Sequence, residues 1–259
     1  MRIRPAVHGG AIAVLLILAC ASQPAPDTLY QTSAIDALLA GVYDGETTLE
    51  QLTKHGGLGL GTFDRLDGEM IVLDGEVYQV KASGRVVLPD DTTRTPFAAV
   101  CRFAPERSLP VPSGVGFARF EAWMDSLIPN QNLFYAFRVE GEFSQVRTRS
   151  VPAQAKPYPP LAEVAADQPE FEMENLSGTL IGFRCPPFAR GVNVSGYHLH
   201  FLSADKSRGG HVLAFSMIRG RVEWEPLYRL MLQLPERTKS FATVDLSQNR
   251  TQELKAVEN

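Results

Sequence analysis

The sequence predicts an α/β (α+β) chain in two parts, each built on mixed, mostly antiparallel β-sheet with a few short helices. Three observations carry this. Asp-Gly pairs divide Leu66–Val80 into short apolar runs, which is a hairpin signal. Apolar residues recur at helical spacing only in a few short segments. The stretch Val151–Leu161 holds four prolines and separates two strand-rich regions. With 259 residues, 44% apolar and 21% charged, the composition excludes whole-chain disorder. A net charge of −4 provides no basic surface for nucleic acid, so no nucleic-acid partner is expected.

The first segment reads as an export signal and not as part of the fold. Arg2 and Arg4 precede the apolar run Ala11–Ala19, which is short for a membrane-spanning helix. Ala19 before Cys20, with Ile17 two positions further back, resembles a lipobox, in which the cysteine becomes the acylated first residue. A plain secretory cleavage within Ala19–Ala25 is the alternative. The expected organisation is a signal peptide at 1–19, a tether at 20–28, an N-terminal mixed-sheet part at 29–155 and a C-terminal sheet part at 156–259. The expected location is periplasmic or cell-surface, with membrane contact only through a lipid on Cys20.

Along the mature chain, Ser33–Ala40 has helical spacing behind a Ser cap, and Thr48–Leu52 suggests a second short helix capped by Thr47. From Gly56 the texture is that of strands, an antiparallel meander through Val80. Gly56, Gly57, Gly59 and Gly61 are turn and close-packing residues, since no Gly-Lys-Ser/Thr follows them to make a phosphate loop. Thr95–Phe103 is a further strand, Phe117–Leu127 a helix ended by Pro129, and Leu133–Gly141 another strand. Beyond the prolines, Gly178–Phe183, Tyr197–Leu202, Val212–Ile218 and Arg221–Glu225 read as strands of a second sheet. Cys101 and Cys185 are expected to be separate, buried, inert thiols.

Chemistry concentrates in one window. His198, His200 and His211 fall within fourteen residues, while His55 lies outside the cluster and reads as structural. Strand alternation puts His198 and His200 on one face, with Leu199 and Phe201 on the other. The polar, glycine-containing stretch Ser203–Gly210 can reverse the chain and return His211 beside the pair. Three neutral imidazoles converging on one point suit Zn²⁺ or a similar divalent ion, with positions left open as catalytic sites require. The same geometry fits a cupin-type barrel, although that motif carries a glutamate where Asp205 stands here.

The stretches Leu29–Ser33, Leu39–Gly45, His55–Phe63, Leu66–Glu69, Thr95–Phe97, Thr148–Pro152, Gly182–Arg184, Gly196–Phe201 and Gly209–His211 resemble, in order, successive blocks of the alpha-acetolactate decarboxylase family. Departures are small: Ser150 where Thr is common, and Cys185 after Gly-Phe-Arg. The resemblance implies a two-part α/β chain, a homodimer, and one zinc held by His198, His200 and His211. It implies that Glu69 sits at the metal, that Arg149 faces the substrate and that Glu258, rather than Glu253, is the glutamate near the C-terminus. Read without it, Glu69 is a turn charge, Arg149 a solvated strand residue and Glu258 part of a frayed tail. The implied reaction is decarboxylation of (S)-2-acetolactate to (R)-acetoin and CO₂, the metal acting as electron sink for the enediolate, without thiamine or pyridoxal. The other reading is an exported lipoprotein that uses the same scaffold to bind a metal or ligand.

Overall fold

The computed structural model describes residues 26–258; the expected signal peptide and Cys20 anchor lie outside the described residues. A seven-stranded sheet runs in spatial order β15 (Arg229–Gln233), β1 (Thr28–Thr32), β8 (Ala98–Cys101), β3 (Leu58–Thr62), β4 (Glu69–Leu73), β5 (Glu76–Val80) and β6 (Val86–Val87). Only its β1–β15 pairing is parallel. A six-stranded antiparallel sheet contains β10 (Val115–Gly116), β14 (Gly209–Leu227), β11 (Phe134–Arg149), β12 (Glu170–Cys185) and β13 (Gly196–Ser203), with β9 (Arg107–Val111) added along β14. Because β13 also pairs with the start of β14, this second sheet closes on itself. β2 (Thr47–Thr48) and β7 (Arg94–Thr95) form a separate small ribbon.

Local chemistry explains the connections. Asp74 and Gly75 take φ of 53° and 85°, the left-handed pair that a tight turn between β4 and β5 requires. The other Asp-Gly pair lies in the longer loop of the β3–β4 hairpin, where Gly68, with φ of 92°, leads from the 3-10 turn Asp64–Leu66 into β4. The helices are α1 (Ile35–Leu39), α2 (Leu49–Thr53), α3 (Phe117–Leu127), α4 (Leu161–Ala166), α5 (Lys239–Thr243) and α6 (Thr251–Glu258). Two expected caps are displaced by one residue. Ala34, without a side-chain bond, caps α1 in place of Ser33. Thr48 caps α2, its hydroxyl accepting from the Gln51 N–H while Gln51 Oε1 accepts from the Thr48 N–H at 3.0 Å. Thr47 pairs its hydroxyl with that of Thr32 instead.

Two strands are longer than their sequence signals. Gly141 and Gly220, which read as strand ends, face each other in mid-ladder between β11 and β14. A Cβ on Gly141 would meet the Arg219 carbonyl oxygen at 2.4 Å, so these glycines mark a close backbone approach rather than a terminus. β11 therefore continues to Arg149, and the two expected strands at 212–218 and 221–225 are one.

Packing is layered. Leu58, Leu60, Ile71 and Leu73 of the first sheet meet Ala136, Ile181, Phe183 and Leu202 of the second. The opposite face of the first sheet is covered by Leu49 and Leu52 of α2, and that of the second by Phe120 and Met124 of α3. Burial on this scale supplies the main driving force for the fold. At one end, α1, α4 and α6 pack together through Ile35, Leu38, Leu161, Val164, Leu254 and Val257. The sheets do not divide the chain at 155/156: β11 precedes the proline-rich crossing yet lies between β14 and β12, and β15 returns to β1. Cys101 and Cys185 are buried free thiols. Among the described residues no helix is long and apolar enough to cross a membrane.

Candidate metal centre

The centre forms where the second sheet closes. β13 turns through Ser203, whose Oγ accepts from the Arg208 N–H while donating to Asp205, and re-enters as β14. This places His211 directly opposite His200 in the ladder, with His198 two residues back on the same face. On the other side of β14, His211 pairs with Arg149 of β11. Gly210 makes that approach feasible: its φ is 134°, and a Cβ there would sit 2.5 Å from the Arg149 carbonyl oxygen.

The three rings converge, with centroids 5.0–5.4 Å apart. One nitrogen from each lies within 4.8 Å of the others. His200 Nδ1–H donates to the Met70 carbonyl at 2.8 Å, which leaves its Nε2 with the free lone pair. That Nε2 and His198 Nδ1 are buried without a hydrogen-bond partner. Three neutral imidazoles whose nitrogens converge, with His200 Nε2 left without a hydrogen-bond partner, are a donor set that fits a divalent metal. Burial keeps the rings neutral, as ligation requires: it pushes the His198 pKa down to about 3 and those of His200 and His211 well below the ordinary range, with the Arg149 cation pushing the same way.

Two carboxyls and one cation complete the pocket. Glu69 opens β4, and its Oε2 lies 3.6 Å from His200 Nε2. Glu258 ends α6, with Oε2 3.8 Å from His211 Nε2 and Oε1 3.9 Å from Arg149 Nη2. Burial pushes both carboxyls up to about 7 against the pull of Arg149. Arg149 is only 3% exposed; its Nη1 donates to Gln168 Oε1 at 2.6 Å and its Nε has no partner. Ile35, Leu38, Leu66, Phe97, Leu161 and Val257 form an apolar ceiling to the pocket.

All six predicted site residues thus meet in one place, and neither Glu69, Arg149 nor Glu258 is the solvated group that local sequence suggests. His55 lies apart, stacked on Tyr30 at 3.6 Å. The sequence reading did not include Gln168 or the apolar ceiling. Gln168 sits in the short link between α4 and β12 with no motif around it, and the ceiling is assembled from separate helices and loops.

The family profile for alpha-acetolactate decarboxylase matches residues 29–248. The chain belongs to this family. Among curated alpha-acetolactate decarboxylases, that of Methylococcus capsulatus is 46% identical over 231 residues, covering 89% of this chain and 88% of the relative. The Bacillus subtilis decarboxylase is 38% identical over 213 residues, 82% of this chain and 84% of the relative. A crystal structure of the alpha-acetolactate decarboxylase from Bacillus subtilis strain 168 superposes with a TM-score of 0.87 at 36% identity, covering 90% of this chain and 99% of that one. The decarboxylase family resemblance therefore extends through the full sheet architecture. Glu258 lies beyond the segment that the profile matches, so its place in the pocket stands on the geometry of α6 alone.

Proposed function

We propose that this chain decarboxylates (S)-2-acetolactate to (R)-acetoin and CO₂, with a divalent ion, zinc by its all-imidazole donor set, held by His198, His200 and His211. The observation that carries this reading is the convergence in one buried pocket of three neutral imidazoles, two carboxyls poised near neutrality and one guanidinium whose Nε has no partner.

In 2-acetolactate the bond that breaks joins the carboxylate to a carbon that bears a hydroxyl and adjoins a ketone. When bound, the ion supplies an electrophile for the electron pair released as CO₂ leaves. Arg149 binds the carboxylate through Nε and Nη2 and holds it while the bond breaks. Glu69 and Glu258, with pKa values of about 7, can each accept or return a proton at neutral pH. We assign Glu69 to the substrate hydroxyl proton. Glu258 and Arg149 flank the face on which the carbanionic carbon is reprotonated, which makes one acetoin enantiomer. The apolar ceiling receives the substrate's methyl groups.

Purified protein lacking residues 1–19 should contain about one equivalent of metal and release CO₂ and acetoin from 2-acetolactate. Stoichiometric metal without acetoin would favour the ligand-binding alternative. We further propose that the protein is an exported lipoprotein anchored through Cys20, checked by incorporation of labelled fatty acid into the wild type but not Cys20→Ser. A homodimer is supported by the free edge of β15, where Tyr228, Leu230, Met231 and Leu234 are exposed. Light scattering should give twice the chain mass, and Met231→Lys should reduce it.

A further inference from the structure

We infer that Gln168 is a positioning residue for this reaction: it holds one end of the Arg149 guanidinium so that the opposite edge is presented to the substrate carboxylate. The inference rests on the assignment of Arg149 to that carboxylate. A guanidinium has five N–H groups in a rigid plane, and a protein that buries it ordinarily satisfies them and balances the charge. Here Nη1 donates to Gln168 Oε1 at 2.6 Å, Nε is buried with no partner, and Nη2 has Glu258 Oε1 only at 3.9 Å. The bonded end and the unsatisfied edge are thus distinct. A single strong bond at Nη1 sets the plane, and the Nε–Nη2 edge is the two-pronged shape that a carboxylate fits.

Gln168 is itself held in place. The Pro169 carbonyl accepts from the Ser150 N–H at 3.2 Å, so the link carrying Gln168 is tied to the residue that follows Arg149. Thr148 Oγ1 donates to the Gly209 carbonyl at 2.9 Å and Ser150 Oγ to the Val80 carbonyl at 2.7 Å, which fixes the backbone on both sides of the arginine. Residue type matters as much as place. An amide oxygen aligns the guanidinium without neutralising it, leaving the positive charge for an anionic substrate; a carboxylate at the same point would align it and cancel that charge.

The test compares Gln168→Leu, Gln168→Glu and Arg149→Gln as metal-loaded enzymes, reading kcat, KM, product handedness, metal content and melting temperature. Gln168→Leu should lower kcat about tenfold and erode the single handedness of the acetoin while metal content stays unchanged. Gln168→Glu should restore the handedness, because the plane is held again, but raise KM about tenfold as the charge is cancelled. If Gln168→Leu matches the wild type while Arg149→Gln is impaired, the inference is overturned and the Arg149 assignment survives. Should Arg149→Gln itself match the wild type, the assignment fails and the inference goes with it. Were Gln168→Leu not to fold, an unchanged KM in Gln168→Glu would overturn the inference, and a raised KM with retained handedness would support it.

Discussion

The Nδ1–H of His200, on the second sheet, donates to the carbonyl of Met70, on the first, at 2.8 Å. This bond fixes the tautomer and aims Nε2 into the pocket, the arrangement by which an outer partner orients a metal-binding imidazole. Replacing His200 by Gln should therefore cut bound metal below about a tenth of an equivalent. Affinity should fall by more than about 100-fold, the upper end of what loss of an outer partner costs. Elemental analysis after dialysis, alongside acetoin release, checks this.

Glu258→Gln should separate metal binding from turnover. Glu258 approaches His211 and Arg149 without being one of the converging imidazoles. The variant should keep its metal, hold its melting temperature within a few degrees, and lose about 10²- to 10⁴-fold in kcat, the range expected for a proton-transfer group. Loss of metal in parallel with activity would move Glu258 into the ligand set.

Stability of the metal-free protein should depend on pH through Glu69. The folded pKa is raised from 4.5 to about 7, so the folded state keeps a proton that the unfolded chain releases. Its contribution is full below about 4.5 and is lost as pH rises through 7. Glu69→Gln removes that loss, so relative to wild type it should gain on the order of 1–3 kcal/mol between pH 5 and pH 8. The depressed histidines act in the opposite sense, losing stability as pH falls below 6.5, but are common to both proteins and cancel in the difference. Urea midpoints of chelator-treated samples at the two pH values provide the measurement.

Thiol chemistry should be silent in the native state. Burial pushes both Cys101 and Cys185 upward, away from the reactive thiolate, and each is 1% exposed or less. In a Cys20→Ser background, neither should react with an aromatic disulfide at pH 8 until denaturant is added, when both should. Reaction of a folded sample would show that one thiol is accessible.

Sequence periodicity was most informative where one element carried the whole signal. Phe117–Leu127 is a helix with the bounds its spacing and Pro129 indicate, and the alternation in Gly196–Ser203 puts His198 and His200 on one face as a strand must. It was least informative where the signal depends on a neighbour. Gly141 and Gly220 look like terminators along the chain and become necessary only when the two backbones cross. That crossing decides the course of β11, hence the placement of Arg149 beside His211. Arg229–Gln233 carries no strand reading by itself and becomes one by joining β1. Glu258 belongs to the pocket because Leu254 and Val257 anchor α6 beneath α4, a tertiary contact with no local trace.

The return of β15 to β1 has a consequence for how such a chain can be divided or recombined. A cut in the proline-rich crossing yields one fragment with β11 but not its partners β12 and β14, and another with β15 but not β1. Neither fragment owns a complete sheet, and Glu69 would part from all three histidines. The two halves of this sequence are therefore not exchangeable modules: a chimera joined there inherits every mismatch along the β11 ladders at once.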